Sequence, residues 1–196
     1  MLKTKSLNLA RTLAEKNIIN IEDIEIVAHG IIIGVRLCIN TLLTFLLGML
    51  LDMAFESIFF IIMFSAVRSY AGGFHFKKPV YCYIMSSAVI ILALVIAKNV
   101  LIYNIGLLNI LLMLISMTIL VCFAPIETAS KPLDDKEKTI FRKRTIRNSI
   151  IELLFAIVLF ASNLKIYSFI IVLAITLSAI LVVIQLIYIK LMSRCI

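Results

Sequence analysis

Six apolar runs, at about 30–51, 55–69, 80–97, 105–124, 149–163 and 167–189, decide what this chain can fold into. Several of them reach the roughly 20 residues that an α-helix needs to cross a hydrocarbon core. A water-soluble domain of 196 residues has no interior large enough for a sequence that is 63% apolar with a mean hydropathy of +1.13. Inside a bilayer the backbone must satisfy its own hydrogen bonds, and helices do so segment by segment. The expectation is therefore an all-α polytopic membrane protein with about six transmembrane helices, forming one membrane-embedded domain over residues 1–196. The second and fifth runs are short, and each carries a charge near one end, Arg68 and Glu152.

Residues 1–29 precede the first run and read as a cytoplasmic or interfacial segment. They lack the short apolar core and small-residue cleavage site of a secretory signal. Residues 2–18 pattern as an amphipathic helix with Leu7, Leu9, Ala10, Leu13, Ala14 and Ile18 on one half of the wheel. Asn8, Arg11, Thr12, Glu15 and Lys16 take the other half. Such a helix either lies in the membrane interface or packs on the end of the bundle, and the pattern fits both.

The net charge of +8 does not point to nucleic acid, because the bases fall in particular connecting segments. With the N-terminus inside, one side of the membrane holds Lys3, Lys5, Arg11, Lys16, Lys77, Lys78, the bases of segment 125–148, Lys190 and Arg194. The other side holds only Lys98 and Lys165 among the bases. By the positive-inside rule both termini, the 70–79 loop and the basic 125–148 loop are cytoplasmic. The bases of the last loop, Lys131, Arg142, Lys143 and Arg144 among them, read either as topology signals that touch anionic lipid or as a docking surface for an acidic segment. Arg36, with Asn40 on the same face, is either a buried polar pair or an arginine that snorkels to the interface.

One polar interruption carries candidate chemistry. Arg68-Ser-Tyr-Ala-Gly72-Gly73-Phe-His75-Phe-Lys-Lys-Pro79-Val-Tyr-Cys82 contains one of only two histidines and two of the six glycines. Pro79 suits the first turn of a helix, which places Cys82 in that turn, where the helix dipole favours a thiolate. His75 lies upstream as a candidate general base and acid. On an unbroken helix a seven-residue spacing is about 10.5 Å of rise, so His75 can serve Cys82 only if the chain folds back at Pro79. The bland alternative is a solvated histidine and a packing cysteine. Cys38, Cys122 and Cys195 read as apolar fillers, and no CxxC pair or zinc set is present, so neither metal nor cofactor is expected. No third residue orienting His75 stands out; Glu127, Ser86 and Ser69 are unranked candidates.

The pattern Arg68-x-x-x-Gly72-Gly73-x-His75-x6-Cys82 resembles the signature of the accessory gene regulator protein B (AgrB) family of bacterial membrane peptidases. Ala124-Pro125-Ile-Glu127-Thr128-x-x-Lys131-Pro132, the chain length, the six-run plan and the basic central loop are similar as well. The resemblance implies a cysteine endopeptidase acting on an AgrD-type peptide precursor in the bacterial cell membrane. It assigns Cys82 as nucleophile and His75 as its acid/base partner, with Arg68, Gly72 and Gly73 in support. The acidic tail of the precursor leaves, the remainder stays as an acyl-thioester on Cys82, and a precursor cysteine closes a thiolactone signal for quorum sensing. Lys131, Arg142, Lys143 and Arg144 suit the acidic tail, and a homodimer is the usual expectation. Two other classes compete: a small transporter or peptide exporter without proteolysis, and a non-catalytic membrane scaffold in which Cys82 is dispensable.

Overall fold

Each apolar run becomes the body of one helix. The computed structural model describes residues 2–72, 79–100, 106–126 and 134–192, apart from the side chains of Leu2, residues 79–83, Val100 and Met192. In chain order the helices are α1 (Leu2–Glu15), α2 (Ile24–Leu50), α3 (Ala54–Ala71), α4 (Pro79–Val100), α5 (Gly106–Phe123), α6 (Asp135–Ala161) and α7 (Lys165–Met192). A single 3-10 turn, Ile21–Asp23, leads into α2. The six runs thus occupy α2 to α7 in order, and the all-α expectation holds. Among the described residues, Ile21–Leu50, Ala54–Ala71, Gly106–Phe123 and Lys165–Leu191 are long and apolar enough to cross a membrane. α4 adds a shorter apolar stretch, Ile84–Asn99. In α6 a charged first half precedes the apolar one.

The chain divides into two compact units, Met1–Leu43 and Thr44–Ile196. In the first, α1 buries Ala10 and half-buries Leu7, Leu13 and Ala14, as its wheel predicts, and buries Ser6, which the wheel did not place there. Leu9 and Ile18, placed on the same half by sequence, are instead 51% and 63% exposed. Arg36 is exposed on α2.

In the second unit α7 is the central helix. Phe169 to Ile175 are buried without a break, the pattern of a helix that is apolar on every side because neighbours surround it. One layer of its packing joins Val67, Ala71, Leu120, Ala124 and Ile126 to Ile171, Ile175 and Val182. A second layer joins Met53, Phe60, Ile90, Leu94 and Ala97 to Phe169, Ile170 and Leu173. α6 doubles back on α7 through a short turn with Asn163 at φ 65°, a backbone region that asparagine tolerates. The Ser168 hydroxyl donates to the Ala156 carbonyl (2.9 Å) and clips this hairpin together.

Three contacts fix the register of α6 on α3. Arg144 meets Tyr70, Asn148 Nδ2 donates to the Ala66 carbonyl (2.7 Å), and Phe155 packs edge-on against Phe59. Residue numbers rise on α6 as they fall on α3, so the two are antiparallel. The C-terminal end of α3 and the N-terminal half of α6 therefore share one end of the unit. The opposite end is held by Lys98, whose ammonium donates to the Leu51 carbonyl (2.9 Å) and lies 3.9 Å from Asp52.

At that opposite end α2 and α3 approach closely enough to exclude a side chain. A Cβ on Gly48 would sit against the Ser57 hydroxyl and 2.6 Å from the Ser57 Cβ. Gly48→Ala should cost about 1–3 kcal/mol, the usual range for overpacking. Thermal unfolding in lipid nanodiscs should show this as a lower Tm, partly recovered when Ser57→Gly is combined with it. An unchanged Tm would mean that the two helices do not meet there.

Candidate functional site

The last turn of α3 ends in a conformation that only glycine tolerates. Gly72 adopts φ 75°, ψ −158°, a region essentially closed to residues with a Cβ. The reason lies on the neighbouring segment. Ile126 follows the cis Ala124–Pro125 peptide at the end of α5, and its N–H donates to the Ala71 carbonyl at 3.1 Å. Gly72 and Ile126 form a parallel backbone pairing, and a Cβ on Gly72 would run into the Ile126 carbonyl. Arg68, one turn earlier, donates from its guanidinium to the Gly72 carbonyl. Buried Ala71, Ala124 and Ile126 seal the apolar side of this contact. The two motif segments, 68–82 and 124–132, thus touch at one backbone pairing, and α3 and α5 end at the same level.

α4 begins at Pro79, as the proline implies, so Cys82 has a helical backbone in the first turn. Gly73, His75, Glu127 and Lys131 lie outside the described residues, as does the Cys82 side chain. The separation of thiol and imidazole is therefore not part of the described geometry. Of the candidates for orienting His75, Ser69 donates back to the Ser65 carbonyl of its own helix (2.7 Å), and Ser86 is also engaged.

The basic segment 125–148 departs from the sequence expectation. From Asp135 onward it is helical, as the start of α6, and Arg142, Lys143 and Arg144 lie on the third turn of that helix. The cause is a local signal that hydropathy obscures. Asp134 and Glu137 occupy the first and fourth positions of a capping box, with the Asp134 N–H donating to Glu137 Oε2 (3.3 Å). Lysine, arginine and glutamate then continue the helix at little cost.

The bases on that turn differ in what they touch. Arg144 lies 5.2 Å from the centre of the Tyr70 ring and 3.4 Å from its hydroxyl, and Tyr70 packs edge-on against Phe141. Arg142 donates to the Val121 carbonyl (3.4 Å), a favourable place for a cation at the C-terminal end of α5. Both arginines tie α6 to the ends of α3 and α5, whereas Lys143 is exposed between them. Sequence reading missed Tyr70 and Asn148, which form this clamp. Their signals were a tyrosine inside the first motif and an asparagine at the head of the fifth apolar run.

Among the described residues no group of three or more His, Cys, Asp or Glu could hold a metal ion. Cys38 and Cys122 are free thiols. What the described arrangement can do is hold two motif-bearing segments rigidly beside a basic helix. Gly72→Ala must break either the backbone conformation or the Ile126 pairing, at about 1–3 kcal/mol. Hydrogen exchange should show faster exchange of the Ile126 amide in this variant; unchanged protection would contradict the pairing.

The family model for accessory gene regulator B matches residues 6–188 of the chain. An AgrB-like protein of Clostridium perfringens (strain SM101 / Type A) is 25% identical over 153 residues, which are 73% of this chain and 70% of that protein. No solved structure matches the chain.

Proposed function

The chain belongs to the accessory gene regulator B family, and from that premise we propose that it is a membrane cysteine endopeptidase that matures a peptide signal. The substrate class is a short AgrD-type precursor with an acidic C-terminal tail. His75 takes the proton of the Cys82 thiol, and the thiolate attacks the carbonyl carbon of the bond before the tail. As the C–N bond breaks, His75 returns that proton to the leaving amine. The rest of the precursor remains as a thioester on Cys82. A cysteine thiolate within the precursor then attacks the thioester carbonyl, closes the thiolactone and releases Cys82. This second step exchanges one thioester for another, so it need not be strongly uphill. It does require that water be kept from the thioester, which a site at the membrane boundary favours.

The observation that supports this reading most is the pairing of Gly72 with Ile126, because it joins the two family motifs at one end of the bundle. Arg68 supports that end by holding the Gly72 carbonyl. The same end receives the basic turns of α6, suited to an acidic tail. Lys143 is the exposed base for that role, with Lys131 preceding the helix; Arg142 and Arg144 serve it from positions they also anchor. The positive-inside rule assigns this end to the cytoplasm, where a free thiol persists.

The test is co-expression with the candidate precursor, following release of the tail by mass spectrometry. Cys82→Ala and His75→Ala should each abolish release while the protein still inserts in the membrane. Replacement of Cys38, Cys122 and Cys195 together should leave it intact. Release by Cys82→Ala would overturn the peptidase reading and return the exporter or scaffold alternatives to first place.

A further inference from the structure

α6 buries a polar stripe that the peptide chemistry does not use. Thr145, Ser149 and Glu152 stand at i, i+4 and i+7, on one face of the helix, and are 0%, 0% and 4% exposed. The Thr145 hydroxyl, the Ser149 hydroxyl and both Glu152 carboxyl oxygens have no hydrogen-bond partner among the described residues. Polar groups in a helix interior ordinarily find partners within their own bundle, as the Ser116 hydroxyl does with Thr176 (3.1 Å) and the Ser178 hydroxyl does with the Ala174 carbonyl (2.8 Å). Three neighbouring exceptions on one face are a built feature.

Among the described residues, the helices packed on α6 bring no charged partner to Glu152. α6 packs on α3, α5 and α7. The charged and titratable groups of α3 are Glu56, Arg68 and Tyr70, the last of which meets Arg144; those of α7 are Lys165, Tyr167, Tyr188 and Lys190; α5 carries only Cys122. Arg68 is held on the Gly72 carbonyl, and Tyr167 faces Glu56 at 3.4 Å. The contacts of Asn148 with Ala66 and of Phe155 with Phe59 bracket Glu152 against the middle of α3, where Met63 and Phe59 are apolar. A lone carboxylate in such a place requires a compensating cation, a bound proton included.

We propose that Glu152 and Ser149, approached past Thr145, form a binding site within the bundle for a single monovalent cation. Ser149 and Glu152 are one turn apart, about 4.5 Å along the axis, close enough to share one ligand. Thr145 is about 10.5 Å from Glu152, too far to share it, and lies toward the end that carries the Gly72–Ile126 pairing. The ligand set is oxygen only, which suits a proton or an alkali ion and not a soft metal. One carboxylate balances one positive charge; a divalent ion would leave net charge in a low-dielectric interior. The site stands independently of the Cys82 chemistry.

The experiment uses the intact protein in nanodiscs of neutral lipid, with sodium chloride exchanged for choline chloride at fixed ionic strength and the pH varied. A hydrophobic carbodiimide, which modifies buried protonated carboxyl groups, is followed by peptide mapping. If the cation is an alkali ion, sodium slows modification of Glu152 several-fold relative to choline. If it is a proton, modification is indifferent to sodium and falls as the pH rises. Ligand binding to the folded state must also appear in the melting temperature. The rise in Tm on adding sodium, or on lowering the pH, should shrink in Glu152→Gln relative to wild type. Should that variant fail to fold, Ser149→Ala keeps the carboxyl group and should shift the half-effective sodium or proton concentration several-fold. Glu152 that responds to neither sodium nor pH, whether modified throughout or never, overturns the proposal, and so does an unchanged Tm response in both variants.

Discussion

A single backbone pairing, Gly72 with Ile126, sets the geometry on which the candidate site depends. It is energetically small, since a hydrogen bond such as that from the Ile126 N–H contributes about 0.5–1.5 kcal/mol. Its importance is positional. It requires a residue without a Cβ after the last turn of α3 and brings the segment beyond α5 against it. Once those two ends are level, α6 must start at the same end. Its arginines reach the Val121 carbonyl and the Tyr70 ring only from there. The apolar layers around α7 supply the bulk of the stability, but they would tolerate small slides between helices. The pairing and the Tyr70–Arg144 clamp restrict those slides where precision matters.

Much of the fold was legible because hydropathy and helix starts are local properties. Six runs gave six helices in order, and Pro79 marked the start of α4. The beginning of α6 was legible too, in the spacing of Asp134 and Glu137, but a run of charges reads as loop when hydropathy alone is followed. Other features were not readable in principle. That Gly72 meets Ile126 is a contact between residues 54 positions apart, and no periodicity encodes it. Glu152 appeared in sequence as a charge near the end of a short run; its burial follows from which face of α6 turns toward α3 and α7. Leu9 and Ile18 show the converse, since apolar periodicity places a residue on a face without saying that the face is covered. The site residues were found by type and spacing, and Arg68 and Gly72 are now seen in contact. His75, Gly73 and Lys131 lie outside the described residues.

The arginines of the basic helix anchor it to its neighbours. Arginines that fix α6 to α3 and α5 place Lys143 outward on the same turn, so anchoring and the proposed attraction for an acidic tail are not separable by charge counting. Arg142→Lys or Arg144→Lys would keep the charge and lose the planar fork that spans carbonyl, hydroxyl and ring. A substitution there changes helix placement before it bears on the proposed attraction for an acidic tail.

The most direct measurement of the proposed chemistry is capture of its intermediate. A precursor whose own ring-forming cysteine is replaced by alanine provides no side-chain nucleophile to discharge the enzyme. Incubated with the membrane protein, it should yield a covalent adduct of enzyme and tail-less precursor. Peptide mapping should locate the adduct at Cys82, and neutral hydroxylamine should release it, as expected of a thioester. Tail release with no adduct, or a hydroxylamine-labile adduct on another cysteine, would contradict nucleophilic catalysis by Cys82.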